Sequence, residues 1–213
     1  GLTVSAFLFG GDGNDTLDAD GSTANNVLVG GAGIDAITGG SGRDLLIGGL
    51  GADTLRGGGG DDILIGGYTD YDANLAALCA IMKEWTRTDA NYSTRVNHLN
   101  GSLGGGLNGS YLLAAKTVHT VYDDAAIDKL FGEAGLDWFF ARTSGKYKDK
   151  VNDKSTGEVV TGIERPVKVA LPVGSVRAER GLNEAVVPVA TPTKISTPAS
   201  PTAAAPRVAA LPA

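Results

Sequence analysis

Aspartate recurs at a fixed interval through the first third of this chain. Residues 30–65 divide into four nine-residue lines, GGAGIDAIT, GGSGRDLLI, GGLGADTLR and GGGGDDILI, with Asp35, Asp44, Asp53 and Asp62 in sixth place. A complete copy at 10–18, GGDGNDTLD, puts Asp15 there, and a degenerate copy at 21–29, GSTANNVLV, puts Asn26 there after the two-residue insertion Ala19-Asp20. Residues 1–9 keep Leu8 in eighth place but carry Ala6 in sixth. Oxygen donors in such an array, without imidazole or thiol, suit a hard cation. The chain shows no nucleophile–base pair, zinc motif or phosphate loop between strand and helix, so it reads as something other than an enzyme.

The rest of each line must position those side chains. Glycine in first, second and fourth place permits positive φ in a tight turn, with Gly33, Gly42, Gly51 and Gly60 filling the fourth place of consecutive lines. Places seven to nine read as a very short strand whose eighth residue is always aliphatic, as expected if that residue alone enters a narrow core. One turn with a three-residue strand buries nothing, whereas stacked copies do, which predicts a solenoid.

The pattern G-G-x-G-x-D-x-U-x resembles the haemolysin-type, or RTX, calcium-binding nonapeptide repeat. That resemblance implies a mainly β chain built on a parallel β-roll, with two lines per turn and Ca2+ between turns stacked on one edge. It implies ligation by the sixth-place residues Asp15, Asn26, Asp35, Asp44, Asp53 and Asp62. Carbonyls of the glycine loops, assigned to Gly11, Gly13, Gly31, Gly33, Gly40, Gly42, Gly49, Gly51, Gly58 and Gly60, complete the implied set. If alternate copies stack, Asp15, Asp35 and Asp53 form one column, and Asn26, Asp44 and Asp62 the other. Carboxylates about 5 Å apart repel by about 3 kcal/mol at an effective dielectric of about 20, and a divalent cation between them reverses that sign. A calcium-free solenoid whose aspartates only accept backbone hydrogen bonds is the simpler alternative.

Composition divides the chain into a repeat segment (1–67), a mixed segment (68–163) and a tail (164–213). Residues 1–72 carry 11 acidic side chains, all Asp, against Arg43 and Arg56, a net charge of about −9 within an overall −6. That charge argues against nucleic acid, and no apolar run has the length of a membrane span. All eight prolines lie between Pro166 and Pro212, and no aromatic residue follows Tyr147, so the tail reads as a disordered linker.

After residue 67 the register breaks. Leu75, Leu78, Cys79, Met82 and Trp85 have helical spacing, which predicts a helix over 73–86, N-capped by Asp72, that covers the end of the roll's core. On that face Cys79 is expected to be a buried, inert thiol. A shorter helix is expected to carry Tyr92, Val96 and Leu99. GEAGLDWFF at 132–140 fits the line again with Asp137 in sixth place, which adds Asp137 to the implied metal ligands, and DDAAIDKLF before it places Asp128 and Leu130 likewise, so these copies either rejoin the stack or form a second one. The basic stretch 142–154 reads as a solvated hairpin, with an anionic polysaccharide or lipid as its alternative partner. His98 and His119 have no partner at metal-site spacing. LIGGYTDYD, LNGSYLL and GLDWFF look like the region that follows RTX repeats in some large secreted bacterial proteins.

These readings point to a calcium-binding structural module of a secreted or cell-surface protein that folds in extracellular calcium, with type I export as the implied route. The alternatives are an accessory domain of a secreted hydrolase, or an adhesin that binds a glycan or surface partner. The chain begins at Gly1 without methionine, so the expectation is a larger polypeptide upstream carrying the active part.

Overall fold

In sequence order the elements are β1 (Phe7–Asp12), β2 (Thr16–Asp18), β3 (Val27–Ala32), β4 (Ala36–Thr38), β5 (Leu45–Leu50), β6 (Thr54–Gly59), β7 (Ile63–Ile65), β8 (Tyr68–Thr69), α1 (Leu75–Trp85), α2 (Tyr92–Leu99), β9 (Val121–Tyr122), β10 (Lys129–Ala134), β11 (Trp138–Ala141), β12 (Lys150–Val151) and β13 (Val159–Gly162). The computed structural model describes residues 5–116 and 118–166. Nearly all of the segment expected to be a linker therefore lies outside the described residues.

Successive lines alternate between two parallel sheets, one ordered β1-β3-β5-β7-β11-β13 and the other β12-β10-β6-β4-β2. Stacking is strictly in register, Leu28 pairing with Leu46 and Leu46 with Leu64, Ile37 pairing with Leu55. The eighth-place residues Leu17, Leu28, Ile37, Leu46, Leu55 and Leu64 face inward as one buried stack, which Leu130 and Phe139 continue. This is the parallel β-roll. The degenerate copies rejoin the stack, since β10 pairs with β6 and β11 with β7.

The fourth turn on the edge that carries Asp15, Asp35 and Asp53 opens at Gly66 and Gly67 and closes only at Asp128. Residues 68–122 leave the roll and return at the antiparallel pair β8–β9, where the rings of Tyr68 and Tyr122 stack at 5.2 Å. Both helices form within this excursion, each opened by an asparagine. The side chain of Asn74 accepts from the N–H of Ala77 at 3.1 Å, and that of Asn91 from the N–H of Thr94 at 2.9 Å.

Four expectations need correction. The cap of α1 is Asn74, because the Asp72 carboxylate is taken up by the N–H and hydroxyl of Thr69. The buried face of α1 is Ala77, Leu78, Ile81, Met82 and Trp85, while Cys79 and Leu75 are exposed. The helix covers a flank rather than the end of the roll. Val27, Val29, Leu45, Ile47, Ile63 and Ile65 project outward from the first sheet, and Leu78, Ile81, Met82, Trp85, Tyr92, Val96 and Leu99 bury them in a second core. Each large aliphatic so buried contributes about 1.5–3 kcal/mol. The stretch 142–154 is not a hairpin but a further line, with β12 pairing parallel to β10.

Candidate metal centre

Each edge of the roll carries one sixth-place column. The N–H of Asp15 donates to Asp35 Oδ1, that of Asp35 to Asp53 Oδ1 and that of Asp53 to Asp128 Oδ1, each at 2.8 Å, and Asp128 N–H donates to Asp149 Oδ1 at 3.0 Å. On the other edge Asn26 N–H donates to Asp44 Oδ1 at 2.5 Å, Asp44 to Asp62 Oδ1 at 2.7 Å and Asp62 to Asp137 Oδ1 at 2.8 Å. The alternating arrangement is therefore present and extends beyond the regular repeats. Asp149 was not anticipated, although KDKV carries an aspartate two residues before a valine, the same offset as in the regular lines.

One oxygen of each carboxylate above Asp15 is thus committed to the backbone. The second oxygen, Oδ2, of Asp15, Asp35, Asp53, Asp62 and Asp137 is buried without a hydrogen-bond partner. A buried acceptor in that condition costs about 1–3 kcal/mol, and more when charged. Beside it lies the carbonyl of the first-place glycine one turn further on the same edge. A Cβ built on Gly48 would stand 2.6 Å from Asp53 Oδ2 and 3.0 Å from the carbonyl oxygen of Gly66. The cradle repeats at Gly10, Gly30, Gly39 and Gly57, so side-chain and main-chain oxygens converge where any other residue would put carbon.

This corrects the reason for the first-place glycines. Gly10, Gly30, Gly39, Gly48 and Gly57 do not adopt positive φ; they keep the cradle open, whereas Gly21 of the degenerate copy has φ 75° and no cradle beside it. Positive φ belongs to the second and fourth places, as at Gly51 (φ 124°), where a Cβ would also run into the carbonyl of Gly33. Gly40 and Gly42 are not among the positive-φ residues, yet a Cβ on either would meet the carbonyl of Ser22 or Ala24 in the irregular turn below.

Burial raises the carboxylates from their ordinary range: Asp53 and Asp137 to about 7, Asp128 to about 9 and Asp149 to about 6. Asp44 and Asp62 are also raised, again first by burial. Neighbouring carboxylates push several in the same direction, Asp35 acting on Asp53, and Asp44 and Asp137 on Asp62. Protons and a multivalent cation therefore compete for one position.

Among the described residues no three His, Cys, Asp or Glu side chains converge. A bound ion would accordingly be held by carboxylates from stacked turns together with glycine carbonyls, an all-oxygen set of the kind calcium accepts. Residues 7–67 match the RTX calcium-binding nonapeptide repeat in four copies, over 7–22, 20–55 and 38–67. They are RTX repeats. RTX nonapeptide repeats bind Ca2+, which fits both the cradle and its unpartnered oxygens. No curated protein and no solved structure is significantly similar to the chain.

Two RTX lines depart from the pattern in ways the structure explains. The Asn26 amide donates to the Ala24 carbonyl at 2.9 Å and to Ser22 Oγ at 3.3 Å, so its nitrogen closes the turn from within. Asp44 Oδ2 accepts from Gly40 N–H at 2.6 Å, so that line is partly satisfied by its own backbone.

Residues beside the RTX columns tie them to the helical cover. Arg95 is almost fully buried, donates to Asp61 Oδ2 at 2.5 Å and to the Trp85 carbonyl at 2.7 Å, and lies 4.7 Å over the Trp85 ring. Trp85 Nε1 donates to the carbonyl of Asp61, the neighbour of Asp62. His98, for which spacing gave no partner, lies with Nδ1 2.6 Å from Oε1 of the buried Glu84. Glu84 Oε2 accepts from Leu107 N–H and pairs with Arg87, joining α1, α2 and the following loop.

Proposed function

We propose that this chain is a structural calcium module of a secreted or cell-surface protein, folding when it meets extracellular calcium. The observation that carries the reading is the buried, unpartnered Oδ2 repeated at Asp15, Asp35, Asp53 and Asp62, each facing a glycine carbonyl from the next turn. Ions at these positions would be held by those aspartates and by carbonyls of Gly30, Gly48, Gly66 and Gly132, with Gly11, Gly13, Gly31, Gly33, Gly49, Gly51, Gly58 and Gly60 shaping the loops. Asn26, with Gly40 and Gly42, belongs to a weaker position.

Calcium supplies the positive charge that lets these carboxylates ionise within the fold, and the residues do the rest. Oδ1 fixes each side chain to the backbone of the preceding turn, so Oδ2 is aimed before any ion arrives. The aliphatic stack keeps water from the inner side. In a calcium-poor cytosol the columns would carry mutual repulsion or bound protons, and the fold would be marginal. Extracellular modules bind calcium at roughly 0.1–1 mM, which would place folding after export. No helix among the described residues is long and apolar enough to cross a membrane.

Isothermal titration of the whole chain tests the reading. It expects several calcium ions per chain with far weaker magnesium binding. Equal affinity for both ions, or none for calcium, would remove it.

A further inference from the structure

The closing turns of the roll carry a groove that involves none of the RTX-matched residues. Three cavities of about 520, 590 and 610 Å³ adjoin along it. Lys116 lines both the first and the second, and Arg142, Thr143 and Val160 line both the second and the third. The groove therefore passes from the loop after α2, across β13, to the stretch that carries β12.

Its charge is one-sided, in a chain of net charge −6. Lys116, Lys148, Lys150 and Arg165 are exposed, and none of them is ion-paired among the described residues. Two carboxylates belong to the lining, Asp149 and Glu164. Asp149 is buried and turned to the backbone, accepting from Asp128 N–H at 3.0 Å and from Arg142 N–H at 2.6 Å, so only Glu164 is exposed. Between the cavities the Arg142 guanidinium is held in place. Nη1 donates to Asp123 Oδ2 at 2.7 Å and Nε to the Ser144 carbonyl at 3.0 Å, which leaves Nη2 without a partner among the described residues. A guanidinium fixed in this way loses little freedom when it donates once more.

Unneutralised cations spaced along a continuous groove suit an extended chain that bears several negative charges. The remaining lining narrows the class. Single-stranded nucleic acid calls for stacking aromatics, and no aromatic residue lines any of the three cavities among the described residues. A lipid surface calls for projecting apolar side chains, whereas Leu113, Ala141 and Ile163 are buried beneath the groove and Val118 alone of its apolar residues is exposed. Between the cations stand hydroxyls and amides, as at Ser102, Thr143, Ser144 and Asn152, the donors and acceptors that a hydroxylated chain uses. We propose that this groove binds an acidic polysaccharide, with Lys116, Lys148, Lys150 and Arg165 meeting its acid groups and Arg142 Nη2 donating at the middle. The site uses none of the unpartnered Oδ2 atoms, so it stands apart from the calcium positions and needs only the folded closing turns.

Isothermal titration of the full chain in saturating calcium with a hexamer of galacturonic acid tests the site. Binding should saturate, weaken as salt rises, and be absent for neutral maltohexaose. K116Q and the double variant K148Q/K150Q alter only exposed side chains. Each should weaken binding about tenfold, as loss of a charge-assisted hydrogen bond does, with circular dichroism and calcium stoichiometry unchanged. K83Q, which removes the same charge from an exposed position of α1, should keep the wild-type affinity. A wild-type chain that does not bind, a loss in K148Q/K150Q no greater than in K83Q, or equal affinity for hexaglutamate or for anionic lipid vesicles would overturn the proposal.

Discussion

The backbone N–H of Asp35 donates to Oδ1 of Asp53 at 2.8 Å, while Asp35 Oδ1 accepts from the N–H of Asp15 at the same distance. Each interior aspartate is thus both a rung and a support for the next. Asp15 is the first of its column among the described residues, since the line before it, with Ala6 in sixth place, stacks on Asn26 of the other edge. Asp35→Ala should therefore disrupt two ion positions and Asp15→Ala only one. Calcium titration of the two variants checks this, and equal losses would contradict the stacked columns.

Asn26 offers the opposite experiment. Its amide nitrogen already donates to the Ala24 carbonyl. N26D replaces that donor with an acceptor in a buried turn and should destabilise the calcium-free fold by about 1–3 kcal/mol. Urea denaturation in chelator would measure it. A neutral or stabilising effect would mean that the amide contact does not hold the turn.

The helical cover should be strongly coupled to the roll. Trp85 is fully buried between α2 and Trp138 and donates to the Asp61 carbonyl. Trp85→Ala should cost about 3–5 kcal/mol, the range for emptying a large aromatic site. A chain ending at Gly67 should associate and bind calcium poorly, since it bares the outward row Val27, Leu45 and Ile63 and loses the closing turns. Sedimentation and calcium titration of that truncation test the point, and an unimpaired monomer would refute it.

Calcium affinity should rise with pH. Burial lifts Asp53 and Asp137 to about 7 and Asp128 to about 9, so the ion-free fold holds protons that the unfolded chain has released. Stability of the ion-free fold therefore falls as pH climbs through those values, with the sign set by the extra protons of the folded state. Calcium must displace the same protons. Titrations in buffers of different ionisation enthalpy near pH 7 should show proton release, and affinity independent of pH from 6 to 9 would contradict the raised carboxylates.

Much of this site was legible because the nonapeptide constrains it locally. Asp at six and an aliphatic residue at eight follow from the shape of one turn, so Asp35 and Leu46 could be placed from spacing alone. The covered flank was less obvious, yet VLV, LLI and ILI at 27–29, 45–47 and 63–65 are apolar throughout, whereas AIT and TLR on the other sheet are not. An all-apolar strand marks burial on both faces, a signal for the flank on which α1 rests that the expectation of an end cap passed over. Spacing could not reveal that Gly66 and Asp128 close one turn across the excursion, or that His98 meets Glu84, because both depend on chain return. Cys79 was misplaced because the stripe through Leu75 and Met82 lies one step around the helix from the face that packs.

The account rests on calcium driving the fold of residues 10–67, and circular dichroism of the chain titrated with calcium tests it most directly. Without calcium near neutral pH, the opposed and desolvated carboxylates should keep the roll largely unformed. Parallel β signal should then appear cooperatively at roughly 0.1–1 mM calcium, with equal magnesium far less effective. A spectrum that is the same in chelator as in saturating calcium would show that the aspartate columns need no ion, and the account would fail.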